Sequence, residues 1–292
     1  MFSRILVPLD GSALAESALS LAEQFIEGSE GRLILLRVVP YFTVLAADPL
    51  LYEEMNRLGE DEALAYLRSI RNELPDPGKA DIVCQVGSAA DSILQYSIEN
   101  DVDLIVMSSH GRSGINRWVY GSVAERIMSQ APCPTLIINA RQSSQEGAPS
   151  KILVPLDGSG LAEQALHPAL DLAQLLDAEL YLLSVTTSGE LRIETASEAG
   201  AFADIENGEV VKAKDYLQDL AENLDYQKVN CAVEIASGSV AEAIMDYAAE
   251  NGMELIIMSS HGRTGLKRWV YGSVAEKVLR GACCATMIVR NQ

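Results

Sequence analysis

The sequence predicts an α/β protein built from two tandem doubly wound domains, each a five-stranded, mostly parallel sheet with helices on both faces. Three observations carry this expectation. A stretch near the start, Ile5-Leu-Val-Pro-Leu-Asp-Gly-Ser12, returns as Ile152-Leu-Val-Pro-Leu-Asp-Gly-Ser159. A second stretch, Met107-Ser-Ser-His-Gly-Arg-Ser-Gly-Ile-Asn-Arg-Trp-Val-Tyr-Gly-Ser-Val-Ala-Glu125, returns nearly unchanged at residues 258–276. Between these landmarks short apolar runs alternate with helical patterns, as in βαβ units whose right-handed crossovers cover both faces of a parallel sheet.

In the first copy, residues 5–9 read as a short apolar strand. Ser12 is suited to cap the helix that follows, in which Leu14, Ala18, Leu21, Ala22 and Phe25 share one face. Gly31 ends that connection, and residues 32–39 form a second strand stopped by Pro40. A loop over 41–49 leads into a long helical pattern that runs to about Glu73, where Pro75, Pro77 and Gly78 break it. Residues 81–86 are a third strand, and Ser88 starts a helix through about Asn100. Residues 103–107 are a fourth strand, apolar from Leu104 to Met107 as a strand buried on both faces must be. A glycine loop, a helix from Ser122 and a fifth strand at 135–139 complete the copy. The domains are expected at 1–141 and 151–292, with the polar, aperiodic 142–150 as linker. Pro8 and Pro155 lie 147 positions apart and Gly111 and Gly262 lie 151 apart, so the second copy carries four net extra residues. Gly87 and Gly238 already show the larger offset, so the insertion precedes them. Segment 186–211, rich in glycine and acid, reads as a variable segment with a mobile loop.

Composition narrows the function classes. With 292 residues and 48% hydrophobic content, the chain can bury two ordinary cores. No apolar run is long enough to span a bilayer, and the first residues enter a strand with no charged-then-apolar leader, so a cytoplasmic protein is expected. A net charge of −19 disfavours nucleic acid and anionic membrane surfaces as partners; the acidity reads as a solvated surface that keeps the protein soluble. The five cysteines, Cys84, Cys133, Cys231, Cys283 and Cys284, make no CxxC pair. They read as core thiols in a reducing compartment, the adjacent Cys283 and Cys284 included. The three histidines, His110, His167 and His261, are not clustered, so no metal site is expected.

In open parallel sheets, ligands lie beyond the carboxyl ends of the strands at the switch point. The Pro-Leu-Asp-Gly-Ser turn and the glycine loop both follow strand ends, so they are expected to face each other there. Gly111 and Gly114 let a ligand approach the main chain. Gly121 and Ser122 open a helix, leaving the N–H groups of Ser122, Val123 and Ala124 as donors at the positive end of its dipole. Arg112 and Arg117 are suited to phosphate oxygens. Gly262, Arg263, Gly265, Arg268, Gly272 and Ser273 repeat the set. Asp10 and Asp157 suit a ribose hydroxyl, because Ser12 and Ser159 already serve as caps, and Pro8 and Pro155 stiffen the strand ends. Tight turns and plain helix caps would explain the glycines alone; the strand-loop-helix context beside an aspartate loop favours anion binding. His110 and His261 read as loop histidines bonded to backbone, since no partner is spaced for acid-base work. Glu125 and Glu276 are expected to point away from phosphate. Trp118, Tyr120, Trp269 and Tyr271 read as packing anchors. No catalytic residue is assigned.

The opening octapeptide and the closing pattern of glycine, two residues, glycine, nine residues, glycine, serine resemble the universal stress proteins of the ATP-binding type, here as a tandem pair. The resemblance covers nearly the whole chain. Ser108 and Ser259 stand where the family pattern begins with glycine. It implies a Rossmann-like fold in each half and ATP, with or without Mg²⁺, as ligand. Adenine and ribose contacts are implied at Pro8, Asp10, Val39 and Met107, and phosphate contacts at Gly111, Gly121, Ser122 and Val123. In the second half the implied set is Pro155, Asp157, Val185, Met258, Gly262, Gly272, Ser273 and Val274. Ser108, Arg112 and Gly114, with Ser259, Arg263 and Gly265, belong to the same two candidate sites. The last strands, 135–139 and 285–289, are expected to pair within the chain as a pseudo-dimer, and whole chains to form a homodimer. The function expected is a cytoplasmic, nucleotide-binding stress-response regulator or sensor. Two other classes stand beside it. One is an enzyme of slow ATP hydrolysis or nucleotidyl transfer, for which no Walker lysine loop or water-activating base is present. The His-x-Gly-His signature of related synthetases and transferases is also missing, because His110-Gly111 is followed by Arg112. The other is a ligand-free interaction scaffold.

Overall fold

Each apolar run closes as a parallel strand, and the order of the strands sets where a ligand can sit. The computed structural model describes residues 2–27, 29–41, 49–109, 121–138, 147–186, 196–225, 230–262 and 272–290, with backbone alone at 49–52, 196–207 and 225. Two units result, Met1–Gln145 and Glu146–Gln292. The first contains β1 (Arg4–Pro8), α1 (Ala13–Gln24), β2 (Arg32–Val39), α2 (Pro49–Glu73), β3 (Ala80–Val86), α3 (Ala89–Glu99), β4 (Leu104–Ser108), α4 (Ser122–Gln130) and β5 (Thr135–Ile138). Its strands run parallel in the order β3-β2-β1-β4-β5.

The chain therefore winds outward from β1 to β3, crosses back and continues from β4 to β5. Right-handed crossovers put α1 and α2 on one face and α3 and α4 on the other. Tyr66 Oη of α2 donates to Glu16 Oε1 of α1 at 2.7 Å, and Arg126 of α4 donates to Asp91 of α3 at 3.2 Å. Both faces being covered, Ile5, Leu6, Val7, Leu104, Ile105 and Val106 are completely buried, which explains the unbroken apolar runs. Along α1 the buried stripe is Ala15, Ala18, Leu19 and Ala22. It is rotated from the expected face, so Leu14 and Leu21 are only half-buried.

The second unit contains β6 (Lys151–Pro155), α5 (Gly160–Glu163), α6 (Leu166–Leu176), β7 (Glu179–Thr186), α7 (Ala196–Asp225), β8 (Cys231–Ser237), α8 (Val240–Glu250), β9 (Leu255–Ser259), α9 (Ser273–Gly281) and β10 (Ala285–Val289). Its order, β8-β7-β6-β9-β10, repeats that of the first. Two local features depart from the expected copy. The counterpart of α1 is broken into α5 and α6, because Pro168 has no N–H for the carbonyl of Gln164 and its ring crowds that carbonyl. The chain tightens there, with Ala165 N donating to Ala162 O at 3.1 Å. The segment expected as a variable loop also folds in large part as the start of α7. Ala196, Ala199, Ala201 and Ala203 are strong helix formers there and outweigh the roughly 1 kcal/mol that Gly200 and Gly208 each cost. Residues 187–195 lie outside the described part.

All five cysteines are among the described residues and none is in a disulfide. Cys133 and Cys284 are buried at equivalent turns before β5 and β10, but Cys84 and Cys231 are only half-buried and Cys283 is exposed, so the expected core placement holds for two of the five thiols. Burial pushes the Cys133 thiol up to about 12. Its contribution to stability is therefore complete below the ordinary thiol range and is lost as pH rises toward that value. A hydrogen bond from Cys284 favours the Cys283 thiolate and lowers its pKa, while the same bond and burial raise that of Cys284. Iodoacetamide at mildly alkaline pH is expected to label Cys283 and spare Cys133 and Cys284 in the folded chain. Peptide mass spectrometry checks this, and equal labelling of all three would contradict the burial pattern.

Candidate functional site

At the switch point, the carboxyl ends of β1 and β4 diverge toward helices on opposite faces, and a cavity opens between them. It measures about 370 Å³ in the first unit and about 320 Å³ in the second. In the first unit Leu36 and Val38 of β2, Ala89 and Ile93 of α3, and Met107 of β4 give it an apolar end. Asp10, Ser108, Ser109 and the start of α4 give it a polar end.

The start of α4 is built to leave donors available. Gly121 caps the helix in an extended conformation, φ −60° and ψ 146°, and contributes no side-chain bond. The first bond of the helix is Glu125 N to Gly121 O at 3.0 Å, so the amides of Ser122, Val123 and Ala124 precede any intrahelical acceptor. These residues line the cavity, at the positive end of the helix dipole. Gly121 N donates to Ser109 O at 3.1 Å, fixing the cap to the strand before it. The second unit repeats the arrangement: Gly272 has φ −65° and ψ 147°, with Glu276 N to Gly272 O at 3.1 Å and Gly272 N to Ser260 O at 2.9 Å. Helix α1 differs, because the Ser12 hydroxyl accepts from Ala15 N at 3.1 Å and fills one such position. Helices α3 and α8 also begin without a side-chain cap bond, and their first residues, Ala89 and Val240, line the cavities.

Asp10 does two things at once. It lines the cavity, and its Oδ1 accepts from Ser12 N at 3.0 Å and Ser12 Oγ at 2.6 Å. The Ser12 hydrogen goes to the carboxylate, which leaves its oxygen lone pairs facing the helix amide. Asp157 holds Ser159 in the same way at 3.0 and 2.6 Å. Bracing the cap and walling the cavity are therefore not alternatives, although the sequence reading set them against each other.

The serine that replaces the family pattern's first glycine shapes the loop. Ser259 Oγ donates to His261 O at 2.8 Å and accepts from His261 N at 3.3 Å, closing a short turn directly after β9. The His261 ring meets the Ser260 hydroxyl at 3.1 Å. A Cβ placed on Gly262 would strike the Asp157 carboxylate, so a side chain there would have to displace a carboxylate that Ser159 holds. Glu125 and Glu276 are exposed and do not line the cavities.

The two cavities bring together Pro8, Asp10, Met107, Ser108, Gly121, Ser122 and Val123 in the first unit. In the second they bring together Pro155, Asp157, Val185, Met258, Ser259, Gly262, Gly272, Ser273 and Val274. One expected contact needs correction. Val39 is buried away from the first cavity, and Val38 lines it. Alternate strand residues share a face, so Val38 lies with Leu36, and a slip of one residue turns the side chain to the other side of the sheet. The β2 and β7 registers match Val38, not Val39, to Val185. Gly111, Arg112, Gly114, Arg117, Arg263, Gly265 and Arg268 lie outside the described residues, as do His110, Trp118, Tyr120, Trp269 and Tyr271. The sequence reading missed Leu36, Ala89, Ile93 and Ser109. Spacing offered two signals: Leu36 is two residues before Val38 in a strand, and Ala89 and Ile93 are one helical turn apart just after Gly87-Ser88.

Known proteins share this duplicated fold. The model of the universal stress protein family matches residues 1–139 and again 149–290. Universal stress protein YxiE of Bacillus subtilis is 34% identical over 148 residues, 48% of this chain and 99% of that protein. Universal stress protein MJ0531 of Methanocaldococcus jannaschii is 29% identical over 156 residues, 53% of this chain and 90% of that protein. The crystal structure of a universal stress protein from Archaeoglobus fulgidus shares the fold over 99% of this chain and 96% of that one, with a TM-score of 0.70 at 21% identity. With both halves matched by the family model and the strand order repeated in each, the chain is a member of the universal stress protein family carrying two copies of its domain.

Proposed function

We propose that each unit binds an adenine nucleotide, ATP in the first instance, in its switch-point cavity, and that the chain serves in the cytoplasm as a stress-response regulator or sensor whose state follows nucleotide occupancy. The observation that carries this reading is the glycine-capped start of α4 and of α9, where residues whose amides have no intrahelical acceptor line a cavity whose other end is apolar. Three successive amides and a helix dipole suit a triphosphate. The slot between β2 and α3 suits a flat heterocycle, and Asp10 or Asp157, at the polar end, suits sugar hydroxyls as an acceptor. Among the described residues, no three His, Cys, Asp or Glu side chains converge as metal ligands. A magnesium ion would therefore be held chiefly through the phosphates, as that ion usually is.

Asp10 and Asp157 each commit Oδ1 to a serine cap, which suits a fixed wall better than a proton acceptor, so turnover is expected at background level. Two measurements test the reading on the full chain. Mass spectrometry of the denatured, freshly purified protein is expected to release an adenine nucleotide, and calorimetry of the stripped protein with ATP is expected to give heat. No released nucleotide and no heat would overturn it. Hydrolysis above background that disappears in Asp10→Ala with Asp157→Ala would replace the binder with an enzyme.

A further inference from the structure

We infer that Val240 makes the second cavity the weaker of the two for a purine nucleotide, so that the chain fills its first unit before its second. The inference rests on the nucleotide reading above and adds an order of occupancy to it. Each residue that lines the first cavity has a counterpart lining the second, and every pair but one is identical. The exception is the first residue of α3 and α8, alanine at 89 and valine at 240.

This position lies at the apolar end. One turn further along each helix, Ile93 and Ile244 line the same walls, with Leu36 and Val38 or Leu183 and Val185 contributed by the strand. A nucleotide whose phosphates occupy the amides of α4 or α9 has its heterocycle at that end. Valine adds two methyl groups to the slot, and its β-branch holds them in one rotamer, so they do not swing aside. An apolar pocket discriminates one methylene by about tenfold or more. The substitution does not disturb the helix, because its first residue donates no intrahelical bond and valine costs little more than alanine there.

The test is calorimetry on the full chain with ATP and, separately, with inorganic tripolyphosphate, which has no base. The wild-type chain is expected to show two ATP sites separated by about tenfold or more. Val240→Ala should raise the weaker site toward the stronger, and Ala89→Val should lower the stronger toward the weaker. Neither substitution should change tripolyphosphate binding. Two equal ATP sites that Val240→Ala leaves equal would overturn the inference while leaving the nucleotide reading intact. An Ala89→Val effect that is as large on tripolyphosphate would also overturn it, by tracing the loss to the helix ends. Absence of heat with either ligand in every variant would overturn the nucleotide reading itself, and the inference with it.

Discussion

Proline at Ser122 and Ser273 is expected to weaken ATP binding by roughly tenfold to a hundredfold in each unit while α4 and α9 stay folded. The substitution deletes one of the amides assigned to phosphate, and a hydrogen bond to a charged group contributes about 1.5–3 kcal/mol. Proline is otherwise well matched to the position. Ser122 is the first residue of its helix, where the missing N–H breaks no intrahelical bond and the fixed φ suits the turn. The residue before a proline must be extended, and Gly121 already is, at φ −60° and ψ 146°. Ser122→Ala with Ser273→Ala keeps the amides and removes only the hydroxyls, so its effect should be smaller. Calorimetry gives the affinities, and circular dichroism checks that helix content and melting temperature are preserved. Wild-type affinity in the folded proline variant would mean that these amides do not hold the ligand.

Alanine at Gly262 is expected to abolish tight ATP binding in the second unit and to lower its stability, whereas alanine at Gly272 is expected to be mild. The two glycines belong to one motif but meet different surroundings. A Cβ at Gly262 collides with the Asp157 carboxylate. Either that carboxylate leaves Ser159, whose N and Oγ it accepts at 3.0 and 2.6 Å, or the turn held by Ser259 and His261 opens. Overpacking costs about 1–3 kcal/mol, and the lost charged hydrogen bonds add to it. At Gly272 the nearest atom, Ser260 O, would be 3.4 Å from a new Cβ, and φ is −65°, a value any residue adopts. Only the loss of a good cap residue remains, about 1 kcal/mol or less. Thermal melts and ATP calorimetry on the two variants check the contrast. Equal effects would show that the contact between Gly262 and Asp157 does not matter.

Much of the fold was legible because its signals are local. The unbroken apolar runs that became β1 and β4 mark strands covered on both faces. Pro49 at one end and Pro75, Pro77 and Gly78 at the other bracket α2. The repeated octapeptide and glycine pattern placed both halves of the candidate site. What sequence reasoning missed depended on orientation or on competing signals. Val38 and Val39 are chemically alike, so only the pairing of β2 with its neighbours decides which one faces the cavity. Ala89 and Ile93 carry no chemistry of their own and join the site because α3 begins at the same sheet edge as α4. The start of α7 contains glycines that read as loop, yet its alanines favour helix. The break before α6 had a readable cause in Pro168, but the strength of the repeat concealed it. The double role of Asp10 could not be seen without the distance from its carboxylate to Ser12.

Titrating nitrogen-15-labelled protein with ATP and following the backbone amide resonances reads the donors themselves. Ser122, Val123 and Ala124, with Ser273, Val274 and Ala275, should show the largest shifts, and the shifts at Ser122 and Ser273 should persist in their alanine variants. If ATP binds and these resonances stay in place while others move, the ligand lies elsewhere and the glycine-capped helix ends are only structural.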